Sequence, residues 1–515
     1  MNHSTTAVSH ISEYPREQSL NCYIRAFLAG IILPLSFAPF HIPGLAILSL
    51  ALFFMQLIPM KKQQAFLIGF AYGFGFFGFG ISWIYVSIHQ FGHLNPLLAG
   101  GITCIFIAYL ALYLGFVAAC FNSISKQLPS ILSALLFSAL WCLGEFLRSK
   151  IIGGFPWLMI GFGQIDSPLG ELLPWIGVPG VSFLTCFSAT LLTLGIRSQG
   201  FAKYLWLTGF ILFILSPLML KSKISTKPLQ EPLSIGIVQA NLSMRDKWDE
   251  SLFWHILKVY HHEIEQLLGK KQLIVLPESA IPLPTNYVND FLETLDLQAK
   301  ASKSSILLGI PHPTRYDASQ YHNAIIGLGE AEGVYFKQHL VAFGEFMPAF
   351  LTRLADLLEL PLPNLVQGPT NQPHMTINHH PIATLICYEL AFPELLRKQL
   401  PQAQWIVSIS DDGWFGHSLA VFQHLQMAQV LSKMTSRYQI VSNNDGLSAV
   451  IEDHGKIIEY LPAFSRGILE ASITPNTSAT PWSTIGDHMI YFIMFSLIII
   501  CILLAKMHQT IAGKL

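Results

Sequence analysis

Long apolar runs recur through the first 220 positions of the chain, and one more lies near its C-terminus. A helix needs roughly 17 to 25 mostly apolar residues to cross about 30 Å of membrane hydrocarbon. The runs predict eight spans, near residues 23–40, 43–60, 64–88, 97–120, 130–148, 174–196, 203–220 and 485–505. The first run follows polar residues and lacks a clear small-residue cleavage site, so we expect a retained span and not a removed signal peptide.

The stretch between the seventh and eighth runs has an ordinary globular composition. It is far too long for a loop and therefore predicts a folded domain. We expect three parts: a membrane domain at 1–221 with seven spans, a globular domain at 222–484, and a C-terminal span with a short tail at 485–515.

Within the globular domain, short apolar runs alternate with amphipathic ones. The short runs predict buried strands that begin near Ser234, Leu273, Ser305, Ile382 and Trp405. Helical spacing of apolar residues predicts helices from Phe253 to Leu268 and from Phe422 to Met434. Strands that alternate with helices are typical of a layered α/β domain.

The composition agrees with a membrane protein. Hydrophobic residues make up 52% of the chain, charged residues only 12%, and the mean hydropathy is +0.48. The net charge of -1 gives no reason to expect nucleic acid as a partner. The seven cysteines lack metal-ligand spacing, and the 19 histidines lack the HExxH spacing of a zinc site. We therefore expect no metal and no cofactor.

The basic residues predict the orientation of the spans. They lie before the first span, in the even-numbered connections and after the last span: Arg16, Arg25, Lys61, Lys62, Lys126, Arg197, Lys203, Lys506 and Lys514. The connections at 41–42 and 89–96 carry none, and the one at 149–173 has only Arg148 and Lys150 at its edge. Lysine and arginine favour the cytoplasmic side. Both termini are therefore predicted to be cytoplasmic and the 222–484 domain extracytoplasmic.

Cys387 is the only cysteine between residues 222 and 484. The other six lie in or beside long apolar runs: Cys22, Cys104, Cys120, Cys142, Cys186 and Cys501. Most buried free cysteines are inert small hydrophobes. Here, however, Cys387 ends a strand-like run, and Glu278 and Lys337 also end apolar runs. A thiol, a carboxylate and an amine in such positions point to nucleophilic catalysis.

The chemistry of these three side chains suggests distinct roles. A thiol with an ordinary pKa of about 8.5 is mostly protonated at neutral pH and needs a base or a nearby cation. Glu278 is the candidate base, and Lys337 can stabilise the oxyanion of a tetrahedral intermediate. The alternatives are a surface carboxylate for Glu278 and a solvated surface charge for Lys337.

The order and spacing of Glu278, Lys337 and Cys387 resemble those of the nitrilase, or carbon–nitrogen hydrolase, superfamily. Further motifs of the globular part share the resemblance: Val238-Gln-Ala-Asn, Lys247-Trp248, Gly344-Glu345-Phe-Met-Pro and Trp414-Phe-Gly. Three motifs of the membrane part resemble apolipoprotein N-acyltransferases in particular: Ser82-Trp-Ile-Tyr, Glu145-Phe-Leu-Arg148 and Phe155-Pro-Trp.

This resemblance implies an αββα sandwich outside a polytopic helical membrane domain, with Glu278, Lys337 and Cys387 as the catalytic triad. It implies a phospholipid as acyl donor and the diacylglyceryl-cysteine of an apolipoprotein as acceptor. It also implies a monomer in the inner membrane of a bacterium, with the catalytic domain in the periplasm.

Four further residues are candidates for supporting roles. Glu345 would orient Lys337 or the amine, or it is a helix-start carboxylate. Tyr388 and Glu389 would help bind or position the substrate, or either caps the turn after the strand. Trp248 matches a family position near the site entrance, or it is an ordinary packed aromatic residue.

Two stretches depart from the family pattern. Asp411 stands in Ser-Asp-Asp, where Ser-Asn-Asp is usual, and the segment Arg437-Tyr438-Gln-Ile-Val441 lacks a proline and a second arginine. These departures concern loop packing or head-group contacts and not the triad.

Two other functions remain open. A membrane-tethered amidase that uses water as acceptor would share all three catalytic residues. A receptor or transporter would place charges along a pathway within the membrane. Only Glu145 and Arg148 lie near the interior or end of a predicted span.

Overall fold

The computed structural model describes residues 20–512, except for 59, 93, 221–228, 230, 316, 318 and 348–363. Eight helices precede the globular part: α1 (Leu20–Ile32), α2 (Gly44–Leu57), α3 (Lys62–Gly80), α4 (Ile84–Phe91), α5 (Pro96–Ser125), α6 (Ser130–Arg148), α7 (Leu173–Arg197) and α8 (Gly200–Leu215). The predicted boundary at 221 and 222 lies outside the described residues and stays a prediction.

The predicted count of eight spans fits the helices only roughly. Over the described residues, five helices are long and apolar enough to cross a membrane: Pro96–Ser125, Ser130–Arg148, Pro168–Arg197, Gly200–Leu220 and His488–Ile511. Helices α3 and α4 form a sixth span if they are counted together, although the chain bends by 62° between them. The first two predicted spans are shorter, at Leu20–Ser36 and Gly44–Leu57. Pro34 lies in the 3₁₀ turn that follows α1, and Pro43 directly precedes α2, so neither helix continues through a proline.

Glycines allow α3 to pack closely against its neighbours. A Cβ atom at Gly69 would lie 2.3 Å from the carbonyl oxygen of Leu114 on α5, and one at Gly75 would lie 2.1 Å from that of Phe27 on α1. Any larger residue would therefore push the helices apart. This close backbone packing is the usual use of small residues between membrane helices.

The globular part contains two β-sheets. The first has six strands in the order β13-β1-β2-β3-β4-β6, and the second has seven in the order β12-β11-β10-β9-β8-β7-β5. The strands are β1 (Leu233–Gln239), β2 (Leu273–Val275), β3 (Ser305–Pro313), β4 (Tyr321–Gly329), β5 (Ala331–Glu332), β6 (Val334–Phe336), β7 (Met375–Ile377), β8 (His380–Ile386), β9 (Ile406–Ser410), β10 (Gln439–Asn443), β11 (Ser448–Ile451), β12 (Ile457–Leu461) and β13 (Gly467–Ile473). Strands β1 to β3 run parallel, as do β8 to β10. All five predicted strands are present.

The helices of this part are α9 (Met244–Lys247), α10 (Phe253–Glu265), α11 (Asn289–Ala301), α12 (Pro393–Arg397), α13 (Ala420–Thr435) and α14 (Pro481–Ile485). The two predicted helices correspond to α10 and α13, within three residues at each end.

The sheets pack face to face, with helices on both outer faces. Apolar side chains of both sheets form the core between them, among them Ile235, Val275, Leu307, Ile386, Val407 and Ile440. Helices α10 and α11 cover the outer face of the first sheet, and α13 covers that of the second. This arrangement confirms the predicted αββα sandwich.

Helix α13 lies between the second sheet and the membrane domain. The amide of Gln423 donates to the carbonyl oxygen of Gly80 at 3.1 Å, and the side chain of Gln426 accepts from the backbone of Ala38 at 3.1 Å. One hydrophobic core runs from the second sheet through α13 into the membrane helices. The sheet that carries Cys387 is therefore packed onto the membrane domain.

The chain returns to the membrane domain through α14 and the last helix, α15 (His488–Ala512). Trp482 is fully buried, and its indole nitrogen donates to Asp487 at 2.7 Å. Helix α15 then packs on α6, where the rings of Tyr491 and Phe146 lie 4.7 Å apart.

Candidate active site

Cys387 lies on a sharp turn at the carboxyl end of β8. The strand ends at Ile386, and Cys387 begins a 3₁₀ turn that continues to Ala391. Its φ of 53° is uncommon for a residue other than glycine and indicates local backbone strain. Only 8% of the residue is exposed. The turn presents the thiol at the edge of the sheet and keeps it largely away from bulk water.

Glu389 holds this turn together from within. Its carboxylate accepts hydrogen bonds from the backbone of Ile386 at 2.7 Å, from Gln338 at 2.6 Å and from His339 at 3.1 Å. The hydroxyl of Tyr335 donates to the same group at 3.0 Å. Burial raises the pKa of Glu389 to about 7. Of its two predicted roles, these contacts favour the structural one, because they tie the segment after Lys337 to the Cys387 turn.

Glu278 follows β2 at the corresponding edge of the first sheet. One carboxylate oxygen accepts from Asn323 at 2.6 Å and from Lys337 at 3.2 Å. The other accepts from the backbone of Asp411 at 3.0 Å. Because β2 and β8 both end here, the two facing sheets bring Glu278 and Cys387 to one edge of the sandwich.

Lys337 follows β6, and its ammonium group lies between two carboxylates. It is 3.2 Å from Glu278 and 2.7 Å from Glu345, and only 1% of the residue is exposed. Glu345 is itself fixed by a 2.8 Å hydrogen bond from the backbone of Val341. The contact favours the predicted role of Glu345 as the group that orients Lys337.

Burial and neighbouring charges together set the protonation states of Glu278, Lys337 and Cys387. Burial alone would raise the pKa of Glu278, but Lys337 and Asn323 outweigh it and hold that pKa below its ordinary value. Burial would lower the pKa of Lys337, yet Glu278 and Glu345 raise it well above the ordinary value. Burial and the Glu278 carboxylate raise the pKa of Cys387 well above its usual range, with Lys337 acting in the opposite direction. The resting site therefore holds a thiol, an ionised Glu278 and a charged Lys337.

His424 and Asp412 lie behind the Cys387 turn. The imidazole Nδ1 is 2.9 Å from Asp412, and Nε2 is 3.0 Å from the carbonyl oxygen of Cys387. Both side chains are buried. Burial opposes a charged imidazole, but Asp412 outweighs it and raises the pKa of His424. His424 thus donates to the carbonyl of Cys387 and constrains the strained turn.

Lys247 and Asp411 support Glu278 from the other side. The Lys247 ammonium donates to the carbonyl oxygen of Glu278 at 2.8 Å and forms an ion pair with Asp411. Both residues are buried. The aspartate that departs from the family pattern therefore neutralises a buried lysine. Trp248, the next residue, is half exposed and directly follows α9 as its C-cap.

A loop of the membrane domain contacts both sides of the Cys387 turn. The hydroxyl of Tyr388 donates to the carbonyl oxygen of Gly154 at 2.9 Å. The ring of Trp157 stacks on those of Tyr388 and His424, and its indole nitrogen donates to Gln423 at 2.7 Å. Tyr388 is thus held by the membrane domain and lies in the wall of the site.

Glu145 and Arg148 at the end of α6 anchor this loop. Arg148 donates to the carbonyl oxygen of Phe155 at 2.7 Å and also to that of Trp157. Glu145 accepts from the backbone of Ile160 at 2.9 Å. These contacts account for the two buried charges without a transport pathway.

Sequence reasoning did not find the roles of Asn323, Asp412, His424 and Lys247. Asn323 and His424 stand in ordinary strand and helix sequences, and Asp412 was visible only as part of the Ser-Asp-Asp stretch. Only the fold brings these three residues to the site. Lys247 was visible as part of the Lys-Trp motif, but the sequence did not predict its contact with Glu278. Over the described residues, no group of three or more histidine, cysteine or acidic side chains could hold a metal ion.

The charges predict how the Cys387 thiol titrates. Replacing Glu278 by Gln removes a negative charge and should shift the alkylation of Cys387 by iodoacetamide to lower pH. Replacing Lys337 by Met removes the opposing positive charge and should shift it to higher pH. Mass spectrometry of the Cys387 peptide after timed labelling measures both profiles.

The exposed Glu293 on α11 provides a matched control, since Glu293→Gln makes the same charge change far from the thiol. Its profile should coincide with that of the wild type. A Glu278→Gln profile that also coincides with the wild type would contradict the electrostatic coupling.

Two family models match the chain. The model described as "Apolipoprotein N-acyltransferase N-terminal domain" matches residues 29–191, and the model described as "Carbon-nitrogen hydrolase" matches residues 234–481.

Among solved structures, a carbon-nitrogen hydrolase from Helicobacter pylori is 13% identical, with a TM-score of 0.35 over 47% of this chain and 89% of that one. A Cys-to-Ser mutant of an amidase from Nesterenkonia is 15% identical, with a TM-score of 0.36 over 50% of this chain and 96% of that one. Likenesses this weak add nothing to the assignment.

Curated relatives match nearly the whole chain. The apolipoprotein N-acyltransferase of Coxiella burnetii is 35% identical over 493 residues, which cover 93% of this chain and 99% of the relative. That of Azotobacter vinelandii is 35% identical over 89% of this chain and 90% of the relative. That of Pseudomonas syringae is 34% identical over 93% of this chain and 94% of the relative. With identity at this level over both parts, the chain belongs to the apolipoprotein N-acyltransferase family.

Proposed function

We propose that this enzyme N-acylates the N-terminal diacylglyceryl-cysteine of apolipoproteins, with a phospholipid as acyl donor and Cys387 as the carrier of the acyl group. The observation that carries the proposal is the contact between the Cys387 turn and the membrane domain. Tyr388, the residue after the thiol, is bonded to Gly154 at 2.9 Å. A nucleophile beside the membrane suits acyl substrates that reside in the lipid.

In the first half-reaction, the thiol proton of Cys387 passes to Glu278 while the sulfur attacks the ester carbonyl of the phospholipid. The resting thiol and ionised Glu278 support this direction of proton transfer. The C–O bond of the tetrahedral intermediate then breaks, and Glu278 returns the proton to the leaving alkoxide. The products are a lysophospholipid and an acyl thioester on Cys387.

In the second half-reaction, the neutral α-amine of the acceptor cysteine attacks the thioester carbonyl. Glu278 takes a proton from the attacking nitrogen, the C–S bond breaks, and the thiolate of Cys387 recovers the proton. The product is an amide, and the enzyme returns to its starting state. Because one thiol and one base serve both steps, donor and acceptor occupy the site in turn.

Lys337 stabilises the negative charge that develops on the carbonyl oxygen in both steps. Its ammonium has three N–H groups, and Glu278 and Glu345 accept two hydrogen bonds from it. Over the described residues no other group accepts from this ammonium, which leaves the third N–H for the oxyanion. A preorganised donor in a site with little water contributes far more than it would in solution.

A membrane-tethered amidase is the alternative, because it would use the same three residues with water as acceptor. Burial of Cys387 and the aromatic contacts of Tyr388 and Trp157 favour the transferase, since they limit the access of water to the thioester.

We further propose a monomer in the bacterial inner membrane, with both termini cytoplasmic and the catalytic domain periplasmic. The distribution of basic residues supports this orientation. Lys62, Arg197 and Lys203 lie in the first or last turn of α3, α7 and α8, and Arg25 lies in the N-terminal half of α1. The positive-inside rule places such ends in the cytoplasm.

The first prediction concerns the acyl-enzyme. Incubation with phospholipid alone should add one acyl group to Cys387, and the isolated acyl-enzyme should transfer it to a diacylglyceryl-cysteine peptide after free phospholipid is removed. Intact-protein mass spectrometry follows both steps. Cys387→Ser should carry no thioester, and Glu278→Gln or Lys337→Met should lower the acylation rate by about 10²–10³.

The exposed Lys300→Met is a control for the lysine change and should acylate normally. A thioester that hydrolyses as fast as it transfers would refute the transferase mechanism. An acceptor that reacts only while phospholipid is present would refute the ping-pong order.

The second prediction concerns His424 as a positioning residue. His424→Leu removes the donor to the Cys387 carbonyl and should slow acylation about 10²-fold, since a small misplacement of the nucleophile has effects of this size. His424→Gln keeps an N–H donor of similar reach and should recover most of the rate. Single-turnover kinetics measure acylation, and thermal unfolding compares the stabilities. Equal rates for Leu and Gln variants of equal stability would exclude a role for the donor.

The third prediction concerns orientation. In a Cys387→Ser background, a cysteine at Lys300 should react with a membrane-impermeant maleimide in cells whose outer membrane is permeabilised. A cysteine at Lys203 should react only after the inner membrane is broken. The reverse pattern would overturn the proposed topology.

A further inference from the structure

A cavity lies in the membrane domain, away from Cys387. It has a volume of about 420 Å³ and lies between α1, α2 and the C-terminal end of α7. Helix α7 contacts the catalytic side near Gly177, where an added Cβ would meet Trp482 at 2.6 Å. The 20 residues from there to Arg197 span roughly 30 Å of helix. The cavity is therefore at the opposite end of the membrane domain from the candidate active site.

The wall and the rim of this cavity differ in character. Apolar side chains form the wall: Leu28, Ala29, Ile32, Leu52 and Met55. Arg25, Gln56 and Arg197 line the same space, and the side-chain oxygen of Gln56 is buried without a hydrogen-bond partner among the described residues. Two guanidinium groups and an unsatisfied acceptor thus adjoin an apolar surface.

The described part of the protein offers no counter-ion for these arginines. Between residues 20 and 220 it has only three acidic side chains, and each has a partner elsewhere: Glu145 with Ile160, Asp166 with His41, and Glu171 with Lys433. None of the ion pairs within the described ranges includes Arg25 or Arg197. An anion from outside these ranges would relieve the repulsion between two like charges.

We propose that this cavity binds one anionic phospholipid, with its phosphate between Arg25 and Arg197 and an acyl chain along α1 and α2. Guanidinium groups bind phosphate oxygens through paired hydrogen bonds. The wall suits an acyl chain, and the oxygen of Gln56 accepts from a hydroxyl or ammonium of the head group. The site is at the opposite end of the membrane domain from Cys387. This lipid is therefore a resident ligand that contacts α1, α2 and α7, and it is not the acyl donor.

The test uses the full-length enzyme in detergent and titrates dioleoylphosphatidylglycerol by native mass spectrometry. The wild type should retain one lipid. The double variant Arg25→Gln/Arg197→Gln should bind the lipid at least about tenfold more weakly than a control double variant. The control, Lys62→Gln/Lys203→Gln, removes two exposed charges outside the cavity lining. Equal weakening in both double variants would mean a general attraction between basic residues and lipid, and would overturn the site.

A second pair of variants tests the apolar wall without a change of charge. Leu28 is 52% exposed and lines the cavity, whereas Leu48 is 42% exposed on α2 and does not. Leu28→Trp should weaken lipid binding, and Leu48→Trp should leave it unchanged. Thermal unfolding without lipid shows whether each variant is folded, and a folded Leu28→Trp with wild-type affinity would contradict the proposal.

Two further measurements test whether another ligand occupies the cavity. Inorganic phosphate at the same concentrations should neither bind nor displace the lipid; displacement would indicate a simple anion site and overturn the proposal. Tighter lipid binding in Glu13→Gln/Glu17→Gln would assign the cavity to the chain's own N-terminal segment and would also overturn it.

Discussion

The candidate site depends on the burial of Lys337 between Glu278 and Glu345. An ammonium group removed from water is costly unless carboxylates surround it closely, and here two lie within 3.2 Å. Each carboxylate is fixed in turn, Glu278 by Asn323 and Glu345 by Val341. The same ammonium holds Glu278 ionised and opposes the rise in the pKa of Cys387 that burial and Glu278 cause. The positions and the protonation states of the three side chains therefore depend on one set of contacts.

The membrane domain is more than an anchor for this site. Arg148 fixes the loop that carries Trp157, and Trp157 stacks on the rings of Tyr388 and His424. Tyr388, the residue after Cys387, and His424, which lies behind the turn, are therefore held partly by a loop of the membrane domain. The sheet that carries Cys387 and the membrane helices also share a continuous hydrophobic core. This arrangement also keeps the thiol close to the membrane domain.

The apolar runs predicted a layered α/β domain well, because the five strands are short apolar runs and burial on both faces requires such runs. The resemblance to the nitrilase superfamily added the αββα arrangement. The sequence predicted the membrane helices less well. Hydropathy measures how apolar a stretch is, whereas Pro34 and Pro43 decide where the first helix ends and where the second begins. The sequence also left the role of Glu389 open, because its carboxylate could bind substrate or cap a turn. Only its bonds to Ile386, Gln338 and His339 favour the structural role.

The sequence by itself determined the order of the three chemical groups and the membrane character, since both follow from local residue patterns. The catalytic roles of Glu278, Lys337 and Cys387 stay predictions. The tertiary structure alone decided that Asn323, Asp412 and His424 join the site, because residues distant along the chain meet only when two sheets pack face to face. It also decided that Arg25 and Arg197 share one cavity. Contacts between helices far apart in sequence leave no local pattern from which they can be read.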